Sequence, residues 1–226
     1  GLNSKGYSRE AYDAIKNADK VYVDTYTIEF PYDFSEITSQ FRNKKFIPAG
    51  REFVEGLGFL KEAKNKDIVL LVYGSPLVAT THSVIIKEAM GKKLKIKIIH
   101  AGSILDAVAE TGLQPYKFGK TTSLPNFPAD SYIDIARENL KFGSHTLVLV
   151  DIGLKFEDAI NRLDKDSKNK KVKLNRVVVC ERLGLKDSHL YYDTIKRLRY
   201  LKIKAPFSII IPGKLHFVEK EFLNSV

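Results

Sequence analysis

The sequence predicts an α/β fold of two lobes, with a mainly parallel sheet in the N-terminal lobe and a mixed sheet in the C-terminal one. Three observations carry that expectation. Short β-branched and aromatic runs alternate with segments of helical periodicity from the first residues onward. Residues 67–73 (DIVLLVY) form a nearly continuous apolar run that stops at Gly74, Ser75 and Pro76, as a strand covered on both faces does before a turn. Residues 111–130 (TGLQPYKFGKTTSLPNFPAD) then break the rhythm with three prolines, two glycines and no helical period. The expected division is an N-terminal lobe over 1–113, a linker over 114–124 and a C-terminal lobe over 125–226.

Taken in order, residues 8–18 place Ala11, Ala14, Ile15 and Ala18 at helical spacing with Ser8 as cap. Lys20–Asp24 (KVYVD) has the composition of a strand. Residues 34–41 and 52–64 carry helical patterns, the second with Gly56 and Gly58 marking close packing or a kink. After the 67–73 strand, 83–90 reads as a helix capped by Thr80 or Thr81, 95–99 (KIKII) as a strand and 104–110 as a helix start. Beyond the linker come helix Ser131–Lys141, strand 145–150, helix 156–163 and a basic loop over 165–175. Strand 176–180, helix 187–200 and strand Phe207–Ile211 complete the order. Parallel sheets hold ligands beyond the carboxyl ends of their strands, which singles out the loops 74–82 and 100–104.

Composition narrows the function classes. The chain of 226 residues is 44% hydrophobic and 11% aromatic, too apolar for a disordered segment. A single cysteine, Cys180, excludes a disulfide framework and fits a reducing, cytoplasmic setting; lying among valines, it reads as a buried, inert thiol. No apolar run reaches the ~20 residues of a membrane span, and no signal-peptide pattern opens the chain. The first residue is Gly1 rather than methionine, so further residues are expected upstream. With 37 basic against 27 acidic residues the net charge is +10. Such a surplus favours acidic partners, yet its lysines are spread along the chain as on a solvated surface. A basic RNA- or phosphate-binding module therefore stays open as an alternative. No Walker loop, no G-x-G-x-x-G after a strand and no metal-ligand spacing occurs, so no bound metal is expected. The residues by themselves name no catalytic group.

Three blocks carry a resemblance. YGSPLVATTH (73–82), IIHAGSI (98–104) and GLQPYKFG (112–119), in that order and spacing, are similar to blocks of the diphthine synthase family of tetrapyrrole methylases. YVDTYT (22–27) resembles that family's Y-x-E-x-Y-T, HTLVLVDI (145–152) its H-T-L-x-L-L-D-I, and GKLHFVEKEFL (213–223) its C-terminal block. The resemblance implies a two-lobed tetrapyrrole-methylase-like fold and a homodimer that uses S-adenosylmethionine. Its implied substrate is translation elongation factor 2, trimethylated on the amino group of a modified histidine to give diphthine. The short chain, without the long insertions of eukaryotic members, points to the archaeal form of the reaction; no membrane and no nucleic acid is required. Another methyltransferase of the same fold is the nearest rival.

Carried over position by position, the resemblance implies a donor site between the lobes. Leu2 matches the last leucine of a G-L-G-L loop whose first half would lie upstream. Ser75 stands at a G-D-P aspartate, with Val78 three residues on. Ser103 and Ile104 match N-A-S-I, Val150 precedes the D-I of the middle block, and Leu183 and Phe207 match two contacts in the C-terminal lobe. The chain departs from the pattern twice: the aspartate is Ser75 and a histidine is Phe207. His82 and Tyr116 are the nearby groups that could take a proton from the amine, although each reads first as structural.

Overall fold

The computed structural model describes every residue except Ile28. The chain forms two compact units, Gly1–Leu105 and Asp106–Val226. No helix among the described residues is long and apolar enough to cross a membrane.

The first unit is built on a parallel sheet of order β2-β1-β3: β1 (Lys20–Asp24), β2 (Phe46–Ala49) and β3 (Ile68–Leu71). Alternate residues of β1 feed two cores. Val21 joins Ile15, Ile37 and Phe41 on one face, while Tyr22 joins Val54, Phe59 and Leu60 on the other. The strand covered on both faces is thus β1. Strand β3, expected to be so, is half-buried along its length and ends the sheet. Helix α1 (Arg9–Asn17) starts as predicted, the Ser8 side chain accepting from the Ala11 N–H at 3.1 Å.

Helix α2 (Ser35–Thr38) is shorter than the predicted 34–41. The 52–64 pattern divides into α3 (Arg51–Gly56) and α4 (Phe59–Glu62) around Leu57, whose φ of +54° ends the first piece. Strand β2 has no counterpart in the sequence reading; it contains Pro48, whose missing N–H an edge strand tolerates. Helix α5 (Ser83–Gly91) follows, but 95–99 joins no ladder: its isoleucines stay partly exposed and the strand pattern lacks a partner. Helix α6 (Ile104–Ala107) closes the segment.

The second unit holds a mixed sheet of order β4-β5-β8-β6-β7: β4 (Thr122–Leu124), β5 (Thr146–Val150), β6 (Val177–Glu181), β7 (His189–Asp193) and β8 (Phe207–Ile211). Only β4 and β5 run parallel. Residues 114–124, read from sequence as a linker, belong to this unit and supply β4. Helices α7 (Ser131–Lys141) and α8 (Phe156–Asn169) pack Tyr132, Ile133, Ile160 and Leu163 on the sheet. Fully burying each such side chain contributes about 2 kcal/mol. Helix α8 runs on into the predicted basic loop. The predicted helix 187–200 is instead β7, in antiparallel register with β6, and then α9 (Ile195–Leu198). HLYYD carries two β-prone tyrosines, and pairing with β6 outweighs its weak helical spacing. The chain ends in α10 (Phe217–Leu223).

Candidate functional site

In the first unit the site is assembled around Gly74, just beyond β3. Gly74 has a φ of +75°, which lets the chain turn sharply there. Its N–H donates to the Gly1 carbonyl at 3.0 Å, and the Tyr73 hydroxyl donates to the Leu2 carbonyl at 2.8 Å. Leu2 is thereby fastened beside Ser75. A Cβ added at Gly74 would stand 4.0 Å from the Gly102 carbonyl oxygen, so the 100–104 loop passes close by. That loop brings Ser103 and Ile104, with the Ser103 hydroxyl accepting from the Leu105 N–H at 3.2 Å. Val78 closes a turn by donating its N–H to the Ser75 carbonyl at 3.1 Å. The hydroxyl-bearing residues Ser75 and Ser103 are 7% and 4% exposed, and Gly102 leaves open space next to them. All five predicted residues of this unit therefore sit on three segments that meet at one turn.

Behind the turn His82, named from the sequence as a proton acceptor, is paired with Asp24, a partnership that the sequence did not indicate. The Pro76 carbonyl accepts from the Thr80 hydroxyl at 2.9 Å and from His82 Nδ1 at 3.1 Å. On the other side of the ring, Nε2 stands 3.1 Å from Asp24 Oδ2, a close electrostatic contact off the line of a hydrogen bond. Asp24, fully buried at the end of β1, also accepts from the Tyr26 N–H at 2.7 Å and the Thr27 hydroxyl at 2.6 Å. Burial pushes its carboxyl up, but the contacts from His82, Thr27 and Tyr26 outweigh it and hold the group below the usual carboxylate range. His82 rather than a threonine occupies the cap position of α5, and its side chain makes no cap bond. A ring spent in this way is not placed to take a proton from a substrate amine, and Tyr116 is 93% exposed.

In the second unit Val150, Leu183 and Phe207 gather at one end of the sheet. Val150 ends β5 opposite Leu124, and Phe207 opens β8 opposite Glu181, whose strand runs on to Leu183. The Arg182 N–H donates to the Pro206 carbonyl at 2.9 Å, tying the Leu183 turn to the approach of β8. Phe207 meets Phe156 edge-to-face at 5.5 Å, so part of its ring is taken up in the core.

The signature blocks of this unit converge on Glu219, on α10, which is fully buried. Its carboxylate accepts from the Gln114 N–H at 2.9 Å, the His216 N–H at 2.6 Å and the Lys117 ammonium. His145 Nδ1 accepts from the Gly213 N–H at 2.9 Å, which leaves the proton on Nε2, facing Glu219 Oε1 at 3.1 Å. Burial pushes the Glu219 carboxyl up, but these donors hold it at about 2. Cys180 is inert: burial pushes its thiol up to about 12. No group of three or more potential metal ligands occurs among the described residues.

A family model described as tetrapyrrole (corrin/porphyrin) methylases matches residues 2–199. A diphthine synthase of Methanococcus maripaludis (strain C6) is 40% identical over 94% of this chain and 90% of its own length. One from Methanocaldococcus jannaschii is 39% identical over 92% and 89%. A crystal structure of diphthine synthase superposes with a TM-score of 0.91, covering 99% of this chain and 91% of the other at 31% identity.

Proposed function

The chain belongs to the tetrapyrrole methylase family, and from that premise we propose that it is a diphthine synthase, a methyltransferase of diphthamide biosynthesis. The donor is S-adenosylmethionine and the substrate is translation elongation factor 2. The acceptor is the amino group of its modified histidine, trimethylated to diphthine as in the archaeal form of the reaction. The setting is cytoplasmic, and the working species is a homodimer. The observation that carries this reading is the convergence of Leu2, Ser75 and Ser103 at the Gly74 turn.

The proposed donor contacts are Leu2, Ser75, Val78, Ser103 and Ile104, on the segments that meet at Gly74; the resemblance separately marks Val150, Leu183 and Phe207, which share one end of the second unit's sheet. The residues fit the donor chemically. Two buried hydroxyls can bond its polar groups, aliphatic side chains suit its apolar surface, and open space at Gly102 admits a ligand against the backbone. When bound, S-adenosylmethionine supplies a methyl group on a sulfonium, which leaves as a neutral thioether and so demands no strong acid. The chain's work is positioning: the Gly74 turn carries Ser75, and the Leu105 N–H bonded to the Ser103 hydroxyl holds that side chain at the start of α6.

The reading is tested by incubating the protein with labelled S-adenosylmethionine and elongation factor 2 carrying the aminocarboxypropyl-histidine arm. Label in the factor is expected, and no label with a folded, donor-binding enzyme contradicts it. Light scattering is expected to return twice the chain mass of 25.6 kDa at micromolar concentration. A single-chain mass contradicts the homodimer.

A further inference from the structure

We propose that Asp24 and His82 are positioning residues that fix the methyl-donor loop through the Pro76 carbonyl. This rests on the reading that Ser75 contacts the donor. The loop is conformationally costly: Gly74 and Ala79 have φ of +75° and +55°, and alanine takes the left-handed region only when its surroundings impose it. What imposes it converges on one atom. The Pro76 carbonyl oxygen, one residue past Ser75, accepts from Thr80 Oγ1 and from His82 Nδ1. A carbonyl only accepts, so Nδ1 carries a proton there.

The other ring nitrogen, Nε2, packs against Asp24 at 3.1 Å, and Asp24 is anchored at the end of the central strand by the Tyr26 and Thr27 N–H groups at 2.7 and 3.2 Å. The side chains of Asp24 and His82 are 0% and 5% exposed, so water does not compete for the contact. The chain of contacts thus runs from the rigid β1, through one carboxylate and one imidazole, to the backbone next to Ser75. A loop held this way meets its ligand without first being ordered, which appears in donor affinity and leaves the methyl-transfer step unchanged.

The test is calorimetric titration of S-adenosylmethionine, with KM and kcat, on the full chain and on Asp24→Asn, His82→Ala, His82→Asn, Thr80→Val and Ser75→Phe. Asp24→Asn and His82→Ala are expected to raise Kd and KM about tenfold, with kcat at saturating donor within about twofold. His82→Asn, whose amide nitrogen falls near the Nδ1 position, restores most of the affinity. Thr80→Val, a near-isosteric change on a partly exposed side chain, weakens binding about threefold and decides the matter if the buried variants fail to fold. Wild-type affinity in Thr80→Val and Asp24→Asn, with Ser75→Phe impaired, overturns the proposal and leaves the donor loop standing. A fall in kcat at unchanged KM also overturns it, since that is the mark of lost folded enzyme. Wild-type affinity in Ser75→Phe overturns the donor-loop reading itself, and this inference with it.

Discussion

The side chain of Ser75 stands one residue past a left-handed glycine, in a turn set by Gly74 and Pro76 and not by its own hydroxyl. Replacing it with the aspartate of the resembling G-D-P motif should therefore leave the backbone intact, aspartate being at home in turns. A carboxylate there exchanges a neutral hydrogen bond to the donor for a charged one. That is worth about 1 kcal/mol, or roughly fivefold in affinity. The opposing effect is an unpaired buried charge, which costs more than the bond returns if the donor offers no hydroxyl or ammonium at that point. Titration of S-adenosylmethionine into Ser75→Asp is expected to show tighter binding. Equal or weaker binding by a folded variant means that Ser75 does not contact the donor as that acid would. The position itself was legible because an apolar strand ending in Gly-Ser-Pro marks a ligand loop. The partner of Asp24 was not, because nothing in KVYVD or YVDTYT says which side chain its carboxylate meets. The role of Asp24 depends on His82, which only the parallel pairing of β1 with β3 brings within reach.

Elements were legible where their own periodicity decides them and not where a partner does. Strands β1 and β8 and helix α7 lie where composition puts them, each with a continuous core face. Three failures turn on pairing: 95–99 has strand chemistry without a ladder, while β2 and β7 became strands because β1 and β6 offered free edges. Helix α10 shows the same limit. Its block GKLHFVEKEFL was recognisable by resemblance, yet nothing local says that Glu219 gathers His145, Lys117 and the Gln114 backbone into one buried knot. The glycines of GLQPYKFG belong to that arrangement. A Cβ at Gly112 would meet the Phe222 ring at 2.3 Å, and one at Gly119 the Asn139 carboxamide at 2.2 Å. The expectation for the element follows from the burial of the knot. Glu219→Ala leaves the buried His145 Nε2–H and the Gln114 N–H without their acceptor, while Lys117, 27% exposed, keeps the Lys214 carbonyl, and should cost about 2–3 kcal/mol. Lys120→Ala removes an ion pair whose two side chains are 71% and 53% exposed and should cost less than about 1 kcal/mol. Urea titrations of both variants check the contrast; equal losses deny the knot its weight.

At the scale of the whole molecule, both units hold acids that bind protons less readily folded than unfolded, and their signs agree. The Asp24 carboxyl in the first unit lies below its ordinary 3.8, and that of Glu219 in the second falls from 4.5 to about 2. For a depressed carboxyl the stabilisation is complete above the unfolded value and is lost as pH falls through the folded one. Glu219 therefore contributes fully above 4.5 and loses its contribution between there and about 2. His145 acts earlier in the same direction. Burial pushes its imidazole below 6.5, only partly offset by Glu219, so the native ring stays neutral while the unfolded one takes up a proton. Its contribution is complete above 6.5 and begins to fall once the pH drops beneath it. At these three groups the unfolded chain binds the extra protons, so their joint contribution to stability rises with pH through the acid range. Urea midpoints taken from about pH 7.5 down to about pH 3 are expected to fall in two stages, one opening near 6.5 and a steeper one below 4.5. A His145→Asn variant, which cannot titrate, should lose the stage that opens near 6.5 and keep the one below 4.5, together with the shallower loss that the Gly1 amino group, lowered by burial from 8.0 to about 6, contributes above it. A midpoint that holds constant down to 4.5 in the wild type would mean that His145 is protonated in the fold, and the proton assigned to Nε2 by the Gly213 bond would have to be joined by a second on Nδ1.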